Sequence, residues 1–166
     1  MTLLWAGSGL TLLAAWSLGR AAWRYRAPHW TLALATGAPL LSLAVFALLL
    51  FQQATTPALI ALCAAACLLI RPARPFLPSR PHWLSALALP FLVLYLIHAL
   101  TPETQPDGVT YHLGLVAEWL RLHGFSPRVG FYEMLPLGME TLFAPAFAIG
   151  RHSSTKLVHF AFLLAT

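Results

Sequence analysis

The chain has 166 residues, 59% of them hydrophobic and only 9% charged, with mean hydropathy +0.74 and formal net charge +5. Roughly a quarter of a soluble domain is charged, so this composition excludes an ordinary soluble fold and points to an integral membrane protein. The basic residues sit singly at the ends of apolar runs, which excludes a nucleic-acid footprint, and Cys63 and Cys67 share one apolar run, which excludes a disulfide framework.

The first apolar run covers residues 2–19. No basic region precedes it, and Arg20, Arg24 and Arg26 follow it. A cleaved secretory signal has the reverse order, so this run reads as a retained helix. Three more runs cover 30–51, 54–70 and 83–100, each near the ~20 residues that cross a ~30 Å hydrocarbon core as helix. Cys63 and Cys67 lie among alanines in the third run, as on a small-residue packing face, and Gly7 and Gly9 in the first are expected to serve close helix contact. A fifth, shorter run covers 135–150. A sixth starts near Thr155 in "KLVHFAFLLAT" and reaches Thr166 without a cap or flanking charge, the pattern of a chain continuing into a longer protein. His98 and His159 carry no assigned role.

The expected fold is therefore all-α, a polytopic transmembrane bundle of about six spans. Four N-terminal helices occupy 1–100, a long loop 101–135, and a fifth helix with the start of a truncated sixth 136–166. Alternate turns hold the positive charge: Arg20, Arg24 and Arg26, then Arg71, Arg74 and Arg80, then Arg151 and Lys156. The positive-inside rule makes that side cytoplasmic and puts the N-terminus, the "QQATT" turn and the 101–135 loop outside a bacterial inner membrane. All five acidic residues lie in that loop or at the start of the fifth helix. The basic turn "RPARPFLPSRPH" reads as a stiff spacer against anionic headgroups, and Trp23, Tyr25, Trp30 and Trp83 as interfacial aromatics.

Within the loop, "PDGVTYHLGLVAEWLRLHGF" (106–125) has helical periodicity. Asp107, Tyr111, Gly114, Glu118 and Arg121 form one stripe, while Leu113, Val116, Ala117 and Leu120 lie opposite, flanked by Leu115 and Trp119. This is an amphipathic helix expected to lie on the outer membrane surface, apolar side down. Pro106 suits its first turn and Gly124 its stop. Asp107 has two readings at this point, a helix cap or a working carboxylate. Glu140 also has two, an interfacial side chain reaching outward or a group facing a cavity. The histidines and carboxylates lack metal-ligand spacing, so a zinc site is not expected.

The same stretch, followed by "YEMLPLGMETLF", resembles the first outer loop of GT-C superfamily membrane glycosyltransferases, nearest to bacterial relatives of the protein O-mannosyltransferases and lipid A aminoarabinose transferases. The likeness covers about residues 100–150, and its matching positions are Asp107, the Tyr111–His112 pair, the "EWL" of the surface helix, and Pro136 with Glu140. It implies transfer of a sugar from a polyprenyl-phosphate donor, held in membrane lipid, to an unidentified acceptor on the outer face. Asp107 is then the general base that takes the acceptor's hydroxyl proton. Tyr111, His112, Glu140 and Arg128 are substrate-binding, His112 and Arg128 toward phosphate. The resemblance names no certain cofactor and leaves a divalent metal open. The competing reading is a non-catalytic polytopic protein, a transporter or scaffold. A transporter calls for polar or broken helices near mid-membrane, and the first four runs offer almost none beyond Ser42 and Pro39.

Overall fold

In the computed structural model each apolar run is helical, the conformation that satisfies backbone polar groups without water. Residues 2–23, 28–70, 83–128, 130–135 and 137–165 are described. Arg24, Tyr25, Arg26, the segment 71–82 and Pro136 lie outside them, as does the Trp83 side chain. The elements are α1 (Thr2–Ala22), α2 (Trp30–Leu50), α3 (Thr56–Leu68), α4 (Leu89–Leu100) led by a 3₁₀ turn, α5 (Leu113–Leu122) led by a π turn, and α6 (Gly138–Ala165). No strand occurs among the described residues.

α1 and α2, with 21 residues each, are long and apolar enough to cross a membrane. Each reaches about 32 Å at 1.5 Å per residue. α3 and the stretch Ala86–Leu100 are apolar but shorter. α3 begins where the Thr55 hydroxyl accepts the Ala58 N–H, with Pro57 in its first turn.

Small residues set how these helices meet. A Cβ on Gly37 would lie 1.7 Å from the Ala15 carbonyl oxygen, and one on Gly19 would lie 1.8 Å from that of Ala33. The two backbones therefore touch, and Ala14, Ala15, Ala33 and Ala38 are buried beside the seam. Gly7 meets α6 as the sequence suggested, since a Cβ there would lie 2.6 Å from Ser154 Oγ. Gly9 meets nothing within 4 Å, so only one of that expected pair is a contact glycine. Cys63 is buried in the core, a small packing residue of α3.

α6 departs most from expectation. Its backbone breaks at Arg151, at φ 61 and ψ −154, a region occupied almost solely by glycine. The chain then folds back, so that the Phe143 and His159 rings lie 6.5 Å apart. In one straight helix they would be separated by about 24 Å. The halves 138–150 and 152–165 are each about 20 Å long, short of the ~30 Å that a span requires. The expected fifth and sixth spans are thus two arms of a hairpin. One arm starts beside the middle of α2, where the Ser42 hydroxyl donates to the Gly138 carbonyl at 2.6 Å.

The turn of the hairpin sits against the start of α1 and the end of α4. Ser154 Oγ donates to Leu4 O at 3.0 Å, Ser153 Oγ to Leu100 O at 3.3 Å, and Lys156 Nζ to Thr101 O at 3.2 Å. Arg20 lies at the other end of α1, about 26 Å from Leu3. The charge pattern grouped Arg151 and Lys156 with Arg20, and the structure corrects this: they occupy the opposite end of the bundle. Counting turns assumes that each apolar run crosses the bundle. Here Phe125 packs on Phe46 near the end of α2 while Gly138, where α6 begins, is bonded to Ser42 at its middle, so the next helix returns to the end already left.

α5 is amphipathic, but its apolar side rests on protein. Leu113, Leu115, Val116 and Trp119 are buried in the common core, whereas Ala117, expected on that side, is exposed. The π turn lies before Leu113, so it turns the whole of α5 relative to Asp107. The helix stops at His123, which takes the left-handed conformation (φ 60) expected of Gly124. Gly124 serves close approach instead, with a Cβ position 2.8 Å from Leu49 O. Ala54 N–H bonds to His123 O at 2.9 Å, so the "QQATT" turn meets the end of α5.

Candidate functional site

Two concavities flank the 101–142 segment. The smaller, about 410 Å³, lies between the π turn and the two arms of α6. Its polar lining comes from Glu103, His112, Glu140, Thr155, Lys156 and His159, and its apolar lining from Leu113, Met139 and Phe143. Such a density of ionisable groups is costly in an apolar bundle and marks a working position more often than a structural one.

Glu140 stands in the first turn of α6, where the positive end of the helix dipole favours a carboxylate. It is only 4% exposed, so it faces inward and not toward solvent. Its Oε1 lies 2.5 Å from Nδ1 of His112. The His112 side chain is 43% exposed, with Nε2 as its remaining polar atom. The π turn directs it there: the Leu113 N–H bonds five residues back to Gly108 O. Residues five apart are brought toward one face by that bond, which reduces the angular separation of His112 and Asp107.

Glu103 forms the opposite wall. Its Oε1 accepts the N–H groups of Thr104 and Gln105 at 3.0 and 2.9 Å, and its Oε2 lies 3.7 Å from Lys156 Nζ. Partial burial works against its ionisation, yet the Gln105 N–H, the Lys156 ammonium and the Thr104 N–H together hold its pKa below the usual 4.5.

The larger concavity is an apolar groove of about 1090 Å³ along α2. Ala35, Pro39, Leu43, Phe46 and Leu50 line it over roughly 22 Å of helix. Ser126, Arg128 and Glu133 line it from the segment after α5, and Ser42 and Thr141, hydrogen-bonded to each other, line its middle. Trp119 also borders it, 1% exposed, and its indole N–H has no hydrogen-bond partner among the described residues.

The residues expected from the sequence are divided between these places. His112 and Glu140 come together in the cavity, and Arg128 borders the groove. Tyr111 lines neither; its ring stacks on Tyr132 at 4.7 Å and leans on His112 at 4.0 Å. Asp107 is exposed, caps nothing through its side chain and lines neither concavity. It stands one residue from the cavity wall, because a Cβ on Gly108 would lie 2.6 Å from Glu103 Cγ. Glu103, Lys156, His159 and Trp119 received no site role from the sequence. For His159 the signal was present, an ionisable group inside an apolar run. The Glu103–Lys156 pair had none, since only the hairpin brings its members together. Among the described residues no three His, Cys, Asp or Glu side chains converge to hold a metal.

No protein-family model, curated protein or solved structure matches this chain.

Proposed function

We propose that this chain belongs to a membrane glycosyltransferase that moves a sugar from a polyprenyl-phosphate donor to an acceptor hydroxyl at the extracytoplasmic face. The observation that carries the reading is the apolar groove along α2 with Arg128 on its border. A polyprenyl chain needs an apolar channel of that length, and its phosphate needs a guanidinium or comparable donor where the channel meets polar side chains. Asp107 is the general base of this reading, an exposed carboxylate one residue from the polar cavity. It takes the hydroxyl proton as the acceptor oxygen attacks the anomeric carbon, and the polyprenyl phosphate leaves with the bonding electrons.

The test is transfer by the full protein in proteoliposomes, supplied with radiolabelled polyprenyl-phosphate hexose or pentose. Release of polyprenyl phosphate, lost on Asp107→Asn, is the expected result. A second reading, a transporter of such a lipid, is favoured by one observation, the break in α6 at Arg151. Movement of the labelled lipid between leaflets with its sugar–phosphate bond intact identifies that reading and removes the first.

A further inference from the structure

The polar cavity has a composition that selects among ligands. Two carboxylates, Glu103 and Glu140, line it together with one ammonium, Lys156, and the imidazoles of His112 and His159. A free anion entering there meets two carboxylates, and a free cation meets carboxylates that already have partners, Glu103 in Lys156 and Glu140 in His112. A neutral ligand with many hydroxyls meets neither obstacle. Each hydroxyl both donates and accepts, so it can bridge a carboxylate oxygen and a neighbouring ammonium or imidazole. The Phe143 ring and the Leu113 side chain supply the apolar surface that the C–H face of a pyranose ring needs. The volume, about 410 Å³, lies in the range of small-molecule sites.

Both anchoring groups are fixed before any ligand arrives. His112 holds one oxygen of Glu140, and two backbone N–H groups hold one oxygen of Glu103. Each carboxylate keeps lone pairs for a further partner, so little ordering is left to occur on binding.

We propose that the cavity bounded by Glu103, His112, Glu140 and Lys156 is a monosaccharide-binding site, built for a neutral pyranose ring. The proposal rests on the transferase reading only for the role of that sugar in transfer; the binding itself is independent of turnover.

The experiment uses the full chain in lipid nanodiscs and a methyl hexopyranoside carrying a photoactivatable diazirine. After irradiation, cross-links are mapped by mass spectrometry. Labelling is expected on the segments carrying Leu113 and Met139–Phe143, displaced by unlabelled methyl hexopyranoside but not by inorganic phosphate or methylammonium at equal concentration. Glu140→Ala and Lys156→Met should each lower it about five-fold, as the loss of one hydrogen bond predicts. If Glu140→Ala does not give folded protein, Lys156→Met, which keeps most of the side-chain stem, carries the comparison. Labelling confined to other segments overturns the proposal. So does displacement by phosphate or methylammonium as effective as by sugar. Labelling without sugar transfer by the same preparation leaves this site standing and removes the transferase reading, while transfer without labelling removes this site alone.

Discussion

Glu140 and His112 are 28 residues apart in the chain, yet their side chains meet at 2.5 Å between the start of α6 and the π turn before α5. The pair ties the turn that carries Asp107 to the hairpin that carries Lys156. His112→Ala leaves a buried carboxylate without that partner, and we expect a stability loss of about 1–3 kcal/mol. Glu140→Gln keeps an oxygen for the imidazole N–H and should cost less than about 1 kcal/mol. Unfolding in detergent, followed by denaturant titration, measures both, and equal losses would show that the carboxylate charge matters more than the hydrogen bond.

Asp107→Asn removes the expected proton acceptor without touching a buried contact. Turnover of the polyprenyl-phosphate sugar should fall by about 10²–10⁴, with membrane insertion and thermal stability unchanged. Unaltered turnover removes Asp107 from the chemistry.

The α1–α2 seam predicts opposite outcomes for two glycines of similar sequence setting. Gly37→Ala places a methyl group 1.7 Å from the Ala15 carbonyl oxygen, which is backbone and cannot rotate away. Forcing the helices apart should cost at least the ~1–3 kcal/mol of an overpacked core. Gly9→Ala meets open space in mid-helix and should stabilise by ~0.5–1 kcal/mol. A thermal shift assay on the two variants reads the contrast directly.

The place of the hairpin turn sets a labelling pattern. Cysteines introduced as Thr104→Cys and Arg151→Cys should react with an impermeant maleimide from the same side of the membrane, and Pro75→Cys in the basic turn from the other. Reaction of 151 together with 75 would restore the alternation read from charge and contradict the hairpin.

Acid should loosen the wall made by Glu103. Its folded pKa lies below the usual 4.5, so the unfolded chain binds its proton first as pH falls. The stabilisation is complete above about 4.5 and is lost as pH drops through the lower folded value. Glu103→Gln should flatten that part of a stability–pH curve, and a curve unchanged by the substitution would show that the Lys156 and N–H contacts contribute nothing there.

Much of this protein is legible in the order of its residues. Long apolar runs free of charge become helices because a lipid-compatible backbone has no other economical way to satisfy its polar groups, so α1 to α4 and the helical pieces of α6 fall where composition puts them. The Pro106 start of the α5 region follows from local backbone preference, while its stop falls at His123, one residue before the glycine that marked it. What periodicity misses is phase and direction. One extra residue in the π turn rotates α5 relative to Asp107 and moves His112, and the turn at Arg151, expected between the fifth and sixth runs, joins two arms each too short to span. The sequence marked His112 and Glu140 separately and left Glu103, Lys156 and His159 unassigned. Only tertiary structure decides that they share one cavity, because convergence depends on where helices return and not on what each contains.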